Sequence, residues 1–341
     1  MLKPKPPESD NATVASRDER QWEYVVASRG AHACVRWIYA SEEEQVDAPW
    51  KHQMQTVDCV PHLSAMRCRW EGQETVRVAC TTLAERRKSG KLVTLDAKFE
   101  DRRDGAPTEV HIRSKCECVL RGKGDFWTLE YAQDGRKISV GSESGAFVVN
   151  AERTSMDILW NEPRKDLAAL SQQFDGTGNL LYNGRRNGNI VLYDLRASPC
   201  GEQSKMHKGK LLARENTGVC TLRLVRPQET YLISGSFGGK IRLWDVRAAK
   251  IPVHEFQGLN SGGMQYDIAL GKDARGMDTY VVAPGADAKV RVWDIHTAEL
   301  LTSIDCGVQV PDRVVCTRWK GQFAVWIALE REERIYQHCT E

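Results

Sequence analysis

Short runs in which apolar and polar residues alternate, separated by small polar turns, cover most of the chain. The stretch 233–250, ISGSFGGKIRLWDVRAAK, is an example, with a turn of small residues followed by an alternating run that ends in Trp-Asp. Alternation with a period of two predicts a half-buried strand, and Gly, Asn, Asp and Pro mark turns. Since no long helical period interrupts this pattern, the sequence predicts an all-β chain of short strands.

The layout of this stretch recurs along the chain, and Asp245 serves as the marker of its copy. Copies with the same layout end at Asp194 and Asp294, with an aromatic residue directly before each Asp. Weaker copies place Asp96 and Ala151 at the marker position. From the first marker to the last, the intervals are 55, 43, 51 and 49 residues. This near-regular spacing indicates repetition of one structural unit.

The interval that ends at Asp245 has room for four short strands. The runs that predict them are 210–216, 218–225, 230–236 and 240–246. Four strands per repeat of roughly 40–50 residues, closing with an aromatic residue and Asp, are typical of a propeller blade of the WD type.

The chain resembles the WD40-repeat family of β-propellers, most closely at 240–247 (KIRLWDVR) and 289–295 (KVRVWDI). The resemblance implies a propeller fold. Degenerate end copies, two strands at 23–41 and three strands at 314–339, join the five marked repeats. We therefore expect a WD40 β-propeller of seven blades over residues 22–341, with degenerate first and last blades.

The N-terminal segment 1–21 lacks the repeat, and we expect it to be disordered or to donate a strand. Residues 11–16 are the candidate strand, because the first copy lacks a clear innermost strand and the last lacks an outermost one. The segment has no apolar run like that of a signal peptide, and the longest apolar run, about seven residues at 323–329, is too short to span a bilayer. We expect a nuclear or cytoplasmic protein that is not secreted.

Composition narrows the classes of function. The chain has 48 Lys and Arg against 46 Asp and Glu, a near balance that argues against a dedicated nucleic-acid or membrane surface. Its 11 cysteines and 8 histidines show no metal-ligand spacing. No nucleophile motif stands at a strand-to-helix turn. We therefore expect no metal, no cofactor, no catalytic residue and no direct binding of nucleic acid.

The Gly-His dipeptide that is frequent in WD40 blades occurs nowhere in the chain. Its position reads GLN at 258–260, and Asp287 occupies the tight-turn position without that His. In the family this His joins the turn Asp and the Trp in a buried polar network. We therefore expect this network to be depleted and apolar packing to dominate stability.

Candidate binding residues follow the markers by two positions, where Arg196, Arg247 and His296 stand. A propeller strand ends at a rim, so a long side chain there points toward one flat face. Arginine is enriched in interface hot spots because it makes bidentate hydrogen bonds and stacks on aromatic rings. The residues alone leave a second interpretation open, a solvated or locally paired arginine.

The consecutive endings YDLR and WDVR resemble the paired boxes of WD40 substrate receptors of cullin-RING ubiquitin ligases, of the cullin-associated factor type. By that resemblance, Arg196 and Arg247 face the ligase adaptor, and the opposite face presents a substrate. The residues of the two boxes are Tyr193, Asp194, Arg196, Trp244, Asp245 and Arg247. On the residues alone, Trp244 and Trp293 are structural and the marker Asp residues cap turns.

We therefore expect a non-catalytic interaction scaffold, a substrate receptor that raises the effective concentration of its substrate near the ligase. One alternative is a general scaffold in a nuclear chromatin or RNA-processing complex, which would co-purify with a complex that lacks a cullin. A second alternative is a hydrolase built in the central channel, where convergent carboxylates or histidines would identify it.

Overall fold

A computed structural model describes most of the chain. Its backbone is described for residues 12–16, 22–29, 32–39, 53–58, 63–71, 75–83, 90–101, 107–119, 125–150, 156–161, 165–197, 209–319, 322–329 and 333–338. Within these residues the chain is all β, apart from one 3-10 turn at Lys165–Leu167. The predicted all-β class is confirmed.

The chain divides into two compact units, residues 1–126 and 127–341. Two four-stranded antiparallel sheets lie in the first unit. Sheet 1 consists of β1 (Ala12–Ser16), β2 (Trp22–Arg29), β3 (His32–Tyr39) and β4 (Gln53–Asp58). Sheet 2 consists of β5 (Leu63–Glu71), β6 (Thr75–Thr82), β7 (Lys91–Asp101) and β8 (Pro107–Val119).

Sheets 3 and 4 follow along the chain, and each has four strands in chain order. Sheet 3 consists of β9 (Phe126–Tyr131), β10 (Lys137–Ser142), β11 (Gly145–Asn150) and β12 (Met156–Asn161). Sheet 4 consists of β13 (Ala169–Phe174), β14 (Leu180–Arg185), β15 (Asn189–Asp194) and β16 (Gly209–Arg214).

Sheets 5 and 6 repeat this arrangement, and sheet 7 has three strands among the described residues. Sheet 5 consists of β17 (Val219–Leu224), β18 (Tyr231–Ser236), β19 (Ile241–Asp245) and β20 (His254–Phe256). Sheet 6 consists of β21 (Ala269–Lys272), β22 (Asp278–Pro284), β23 (Lys289–Asp294) and β24 (Leu300–Asp305). Sheet 7 consists of β25 (Pro311–Trp319), β26 (Gln322–Leu329) and β27 (Glu333–His338).

The marker residues Asp194, Asp245 and Asp294 end the third strand of their sheets, as the repeat predicts. The weaker marker Asp96 is different, because it lies inside β7, which continues to Asp101. The marker position of this weaker copy therefore falls in the third strand of its sheet but not at the end of that strand. Ala151 lies outside the described residues.

The predicted run 210–216 corresponds to β16, which pairs with β15 and so completes sheet 4. The repeat read from the sequence is therefore offset by one strand from the sheet. The first strand of the sequence repeat is the fourth strand of the preceding sheet. Sequence periodicity fixes the length of a repeat, whereas hydrogen bonding between strands decides where one sheet ends.

The two end copies form the predicted strands. The run 23–41 contains all of β2 except Trp22, together with β3, and 314–339 contains most of β25 with β26 and β27. Within the segment 1–21, β1 pairs with β2 and supplies the first strand of sheet 1. Residues 1–11 and 17–21 lie outside the described part. The domain limits and the count of seven blades stay predictions.

The first strands of neighbouring sheets in the second unit approach each other closely. Ser171 Oγ of β13 donates to the Val219 carbonyl of β17 at 3.0 Å. Gly184 permits this approach, because a Cβ there would lie 2.3 Å from Ser171 Oγ and 2.7 Å from Val219 Cγ1. Apolar clusters fill the space between successive sheets, one of which contains Tyr182 and Trp244. Packing between sheets thus makes the first strand the innermost.

Antiparallel topology sets which connections lie together. In a four-stranded meander, the connection between the first and second strands (the AB turn) and that between the third and fourth (the CD turn) lie at the same end. We call this end, which carries the marker Asp residues, the marker end. The second-to-third connections and the links between sheets lie at the opposite end.

Candidate functional site

Arg196 and Arg247 occupy matching CD turns at the marker end of sheets 4 and 5. In each turn the Asp two residues earlier accepts hydrogen bonds from the backbone N–H, Nε and Nη2 of the arginine. The distances are 3.0, 2.9 and 2.7 Å at Asp194 and 2.9, 2.9 and 2.5 Å at Asp245. An Asp that ends a strand readily accepts the N–H bond two residues on, which explains the repeated geometry.

Both guanidinium groups remain open to solvent, with side chains 65% exposed at Arg196 and 67% at Arg247. Hydrogen bonding to the Asp raises the pKa of each arginine above its ordinary value. A guanidinium has five N–H donors, so three in each group are not used by the Asp. The Asp therefore orients the planar guanidinium, and an oriented donor group loses less entropy when it binds an acceptor.

His296 stands in the third CD turn of this kind, in sheet 6. Its backbone N–H donates to Asp294 Oδ1 at 2.7 Å, and the next N–H, of Thr297, donates to the same oxygen at 2.9 Å. The Asp-capped turn is thus kept while the guanidinium is replaced by an exposed imidazole. The two arginine forks occur in consecutive sheets.

Tyr193 and Trp244, the aromatic members of the two boxes, are each 2% exposed. Tyr193 Oη accepts a hydrogen bond from Arg185 Nη2 at 2.6 Å, and Trp244 Nε1 donates to Ser234 Oγ at 2.8 Å. Both rings are therefore core residues, and each directly precedes the Asp that ends its strand. Trp293, 1% exposed, is also buried, so the structural interpretation of Trp244 and Trp293 is confirmed.

The expected depletion of the buried polar network is wrong for sheet 5. Ser234 Oγ, which accepts from Trp244, donates to Glu215 Oε1 at 2.6 Å, and Arg242 pairs with the other carboxylate oxygen. Glu215 lies in the link before β17 and is buried, and this burial raises its pKa. Sequence reasoning missed it because Glu215 stands 19 residues before Ser234 and is not the histidine of a Gly-His dipeptide.

The tight-turn Asp of the next sheet also pairs with an arginine. Arg291 Nη1 donates to Asp287 Oδ1 at 3.0 Å, and the hydrogen bonds from Arg291 lower the pKa of Asp287. The tight-turn Asp therefore has a partner four residues later in the chain. The Arg291 side chain is only 12% exposed, so most of its guanidinium is shielded from solvent in this pair.

The Asp245–Arg247 pair predicts a measurable titration. Hydrogen bonds from Arg247 lower the pKa of Asp245 from 3.8 to about 2, so the stability from this pair is present above pH 3.8 and is lost as the pH falls through about 2. In Arg247→Ala we expect the pKa to rise toward 3.8, although the backbone N–H bond remains. Carboxyl-carbon NMR at about pH 3 should find Asp245 mostly ionised in the wild type and mostly protonated in the variant. Arg196→Ala is the control, and an equal shift there would contradict the pairing.

Two further observations concern the side chains and helices that the structure describes. Among those side chains, no three His, Cys, Asp or Glu residues are grouped in a way that would hold a metal ion. In the same part of the chain, no helix is both long and apolar enough to cross a membrane.

Comparison with curated proteins gives relatives over part of the chain. An uncharacterized WD repeat-containing protein of Caenorhabditis elegans is 28% identical over 159 residues, 46% of this chain and 27% of that protein. Human DDB1- and CUL4-associated factor 4 is 39% identical over 89 residues, 26% of this chain and 17% of that protein. Human DDB1- and CUL4-associated factor 4-like protein 2 is 37% identical over 89 residues, with 21% of that protein covered. The matches thus span 17% to 27% of these relatives.

The sequence model of a protein family matches more than half of the chain. The match covers residues 127–316, which are 190 of the 341 residues and include both arginine forks. The family is described as the DDB1- and CUL4-associated factor 4 beta-propeller domain. Its propeller fold accounts for the successive four-stranded antiparallel meanders. The chain therefore belongs to the DDB1- and CUL4-associated factor 4 beta-propeller family, and its fold is that of a WD-repeat β-propeller.

Proposed function

We propose that this chain is a non-catalytic substrate receptor that docks onto DDB1, the adaptor of a CUL4 ubiquitin ligase. The observation that carries the proposal is the pair of matching forks, Arg196 on Asp194 and Arg247 on Asp245, in consecutive sheets. The names of the human relatives associate those proteins with DDB1 and CUL4, which supports the same partners here.

The physical role of the forks is to give DDB1 two oriented hydrogen-bond donors. Each arginine is exposed, already ordered by its Asp, and positioned at the end of a rigid strand. Such a group loses little side-chain entropy on binding and can donate to carboxylates or carbonyl oxygens of the partner. The receptor itself carries out no reaction. It brings a bound substrate close to the ubiquitin-transfer machinery and so raises the effective concentration.

The test is direct binding of the purified full chain to immobilised DDB1. We expect Arg196→Ala combined with Arg247→Ala to weaken binding at least tenfold, because each truncation removes an oriented, charged hydrogen-bond donor from the contact. The matched control is Arg214→Ala combined with Lys289→Ala, two exposed cations at the opposite end of the sheets. Thermal melting of both double variants checks that each remains folded.

Two results would count against the proposal. If the wild-type chain does not bind DDB1, the receptor function is wrong. If the wild type binds and the two double variants bind equally well, the chain docks through other residues, and the assignment of Arg196 and Arg247 is wrong.

A further inference from the structure

The Asp-x-Arg turn is not confined to the two boxes, because it recurs in the AB turns of sheets 3 and 6. The backbone N–H of Arg136 donates to Asp134 Oδ1 at 2.9 Å, and that of Arg275 donates to Asp273 Oδ1 at 2.9 Å. Arg275 Nε also reaches Asp273 Oδ2 at 3.2 Å. These turns have the same Asp-capped geometry as those of the two boxes, although they connect different strands.

Both of these additional arginines are exposed, and the side chain of Arg275 is 78% exposed. AB and CD turns lie at the same end of an antiparallel sheet, so Arg136 and Arg275 share the marker end with Arg196 and Arg247. Since AB turns follow the innermost strands, the additional arginines lie inward of the two boxes. The sequence repeat links Arg196 to Arg247, but it does not link Arg136 and Arg275 to them.

The AB turns of sheets 3 to 6 are bonded together at this end, and Arg226 is the centre of the arrangement. Arg226 Nη1 donates to Gln133 Oε1 at 3.0 Å, and the Arg226 N–H donates to Asp278 Oδ2 at 2.7 Å. Glu229 Oε2 accepts from the Gly176 N–H at 2.8 Å. We call these four turns, 132–136, 175–179, 225–230 and 273–277, the AB junction.

The AB junction brings Arg136 and Arg275 onto one continuous surface. Gln133 precedes Arg136 in the first turn, and Asp278, the first residue of β22, directly follows the turn of Arg275. Arg226 is therefore bonded to the first turn and to the residue that adjoins the second. Arg226 itself is engaged within the junction, since its Nε also lies 3.7 Å from Glu229 Oε1. It therefore holds the surface together, whereas the two exposed arginines are available to a partner.

Resting on the proposed function, we infer that the DDB1-docking surface extends inward from Arg196 and Arg247 across the AB junction to Arg136 and Arg275. A stable protein interface buries about 800 Å² on each partner, which two arginines at the outer turns do not supply. The inner pair enlarges the contact with groups of the same chemistry. All four arginines recognise acidic side chains or carbonyl oxygens of the partner.

The experiment adds two double variants to the two described above and compares all four in binding of the full chain to immobilised DDB1. We expect Arg136→Ala combined with Arg275→Ala to weaken binding at least fivefold while its melting temperature stays within a degree or two of the wild type, since both side chains are exposed. Arg214→Ala combined with Lys289→Ala should bind like the wild type. Arg136→Lys combined with Arg275→Lys should give an intermediate affinity, because lysine keeps the charge but loses the planar fork.

The outcomes separate this inference from the proposed function. If the inner alanine pair binds like the control while the Arg196/Arg247 pair loses binding, the extended surface is wrong and the receptor function stands. If the wild type does not bind DDB1, the receptor function is wrong and the extended surface with it. If both arginine pairs lose binding and the control does not, both are supported.

Discussion

Replacing Glu215 by alanine is expected to lower the free energy of unfolding of the sheet 5 region by about 3 kcal/mol. The substitution removes the acceptor of the Ser234 hydroxyl and one of the two carboxylate partners of Arg242. Arg242 keeps Glu255, whose Oε2 lies 2.9 Å from Arg242 Nε, so the loss is smaller than for a guanidinium left without any partner. Thermal melting should show a decrease of roughly 6–12 °C, and hydrogen exchange should become faster in β17 to β19.

Two further variants test whether the buried carboxylate of Glu215 itself stabilises the fold. Glu215→Gln keeps an oxygen that can accept from Ser234 or Arg242, so we expect a loss of only about 1–2 kcal/mol. Its cost is limited further because burial already disfavours the charged form of Glu215, as the raised pKa indicates. Glu299→Ala removes an exposed glutamate and should change stability by less than about 0.5 kcal/mol. Equal melting of Glu215→Ala and Glu299→Ala would show that the network does not stabilise the fold.

Replacing Trp293 by alanine should lower the free energy of unfolding by about 3–5 kcal/mol, an effect as large as any single substitution proposed for this chain. Trp293 of β23 lies between sheets 5 and 6, where its ring meets Phe256 edge to face with centroids 6.3 Å apart. Its Nε1 donates to the Gln257 carbonyl at 3.0 Å. The alanine variant leaves a cavity between two sheets that surrounding side chains cannot fill, and thermal melting measures the loss.

The control for this substitution is Trp293→Phe, which keeps an aromatic ring in the core but removes the N–H donor. We expect it to cost about 1–2 kcal/mol, most of it from the Gln257 carbonyl that loses its partner. If the alanine and phenylalanine variants melt at the same temperature, an aromatic ring at this position adds nothing to packing between sheets 5 and 6, and the cavity argument is wrong. Neither variant should alter the exposed forks at Arg196 and Arg247, which lie outside this cluster.

Five Asp residues in the AB and CD turns have the same role across the second unit. Asp134, Asp194, Asp245, Asp273 and Asp294 each accept the backbone N–H two residues later. Capping the turn in this way stabilises the connection between two strands without any partner protein. The same carboxylates at Asp194 and Asp245 also orient an arginine, so one residue serves both the fold and the proposed docking surface. Substitution of these Asp residues would therefore combine the two effects, which is why the arginine variants are the cleaner test.

The sequence alone predicted the strands and the positions of the boxes. Alternating apolar residues and small polar turns are local signals, and their repetition every 43 to 55 residues placed Asp194, Asp245 and Asp294 at strand ends, where the structure has them. The same local signals did not predict the strand end near Asp96, because β7 continues beyond this marker and no turn residue follows Asp96 to end the strand. The sequence also left open whether Arg196 and Arg247 form ion pairs with neighbouring residues, because such pairing depends on side-chain geometry.

Only the tertiary structure decided which residues meet across sheets. Glu215 joins Ser234 and Trp244 because the link before β17 passes beside sheet 5, a proximity that no periodic pattern encodes. Arg226 meets Gln133, 93 positions earlier in the chain, because the innermost strands of successive sheets converge. Strand periodicity is a property of neighbouring residues, whereas a buried network or a composite surface depends on how whole sheets pack. The sequence therefore determined the repeated marker turns, and the packing of the sheets decided which other turns are hydrogen-bonded to one another.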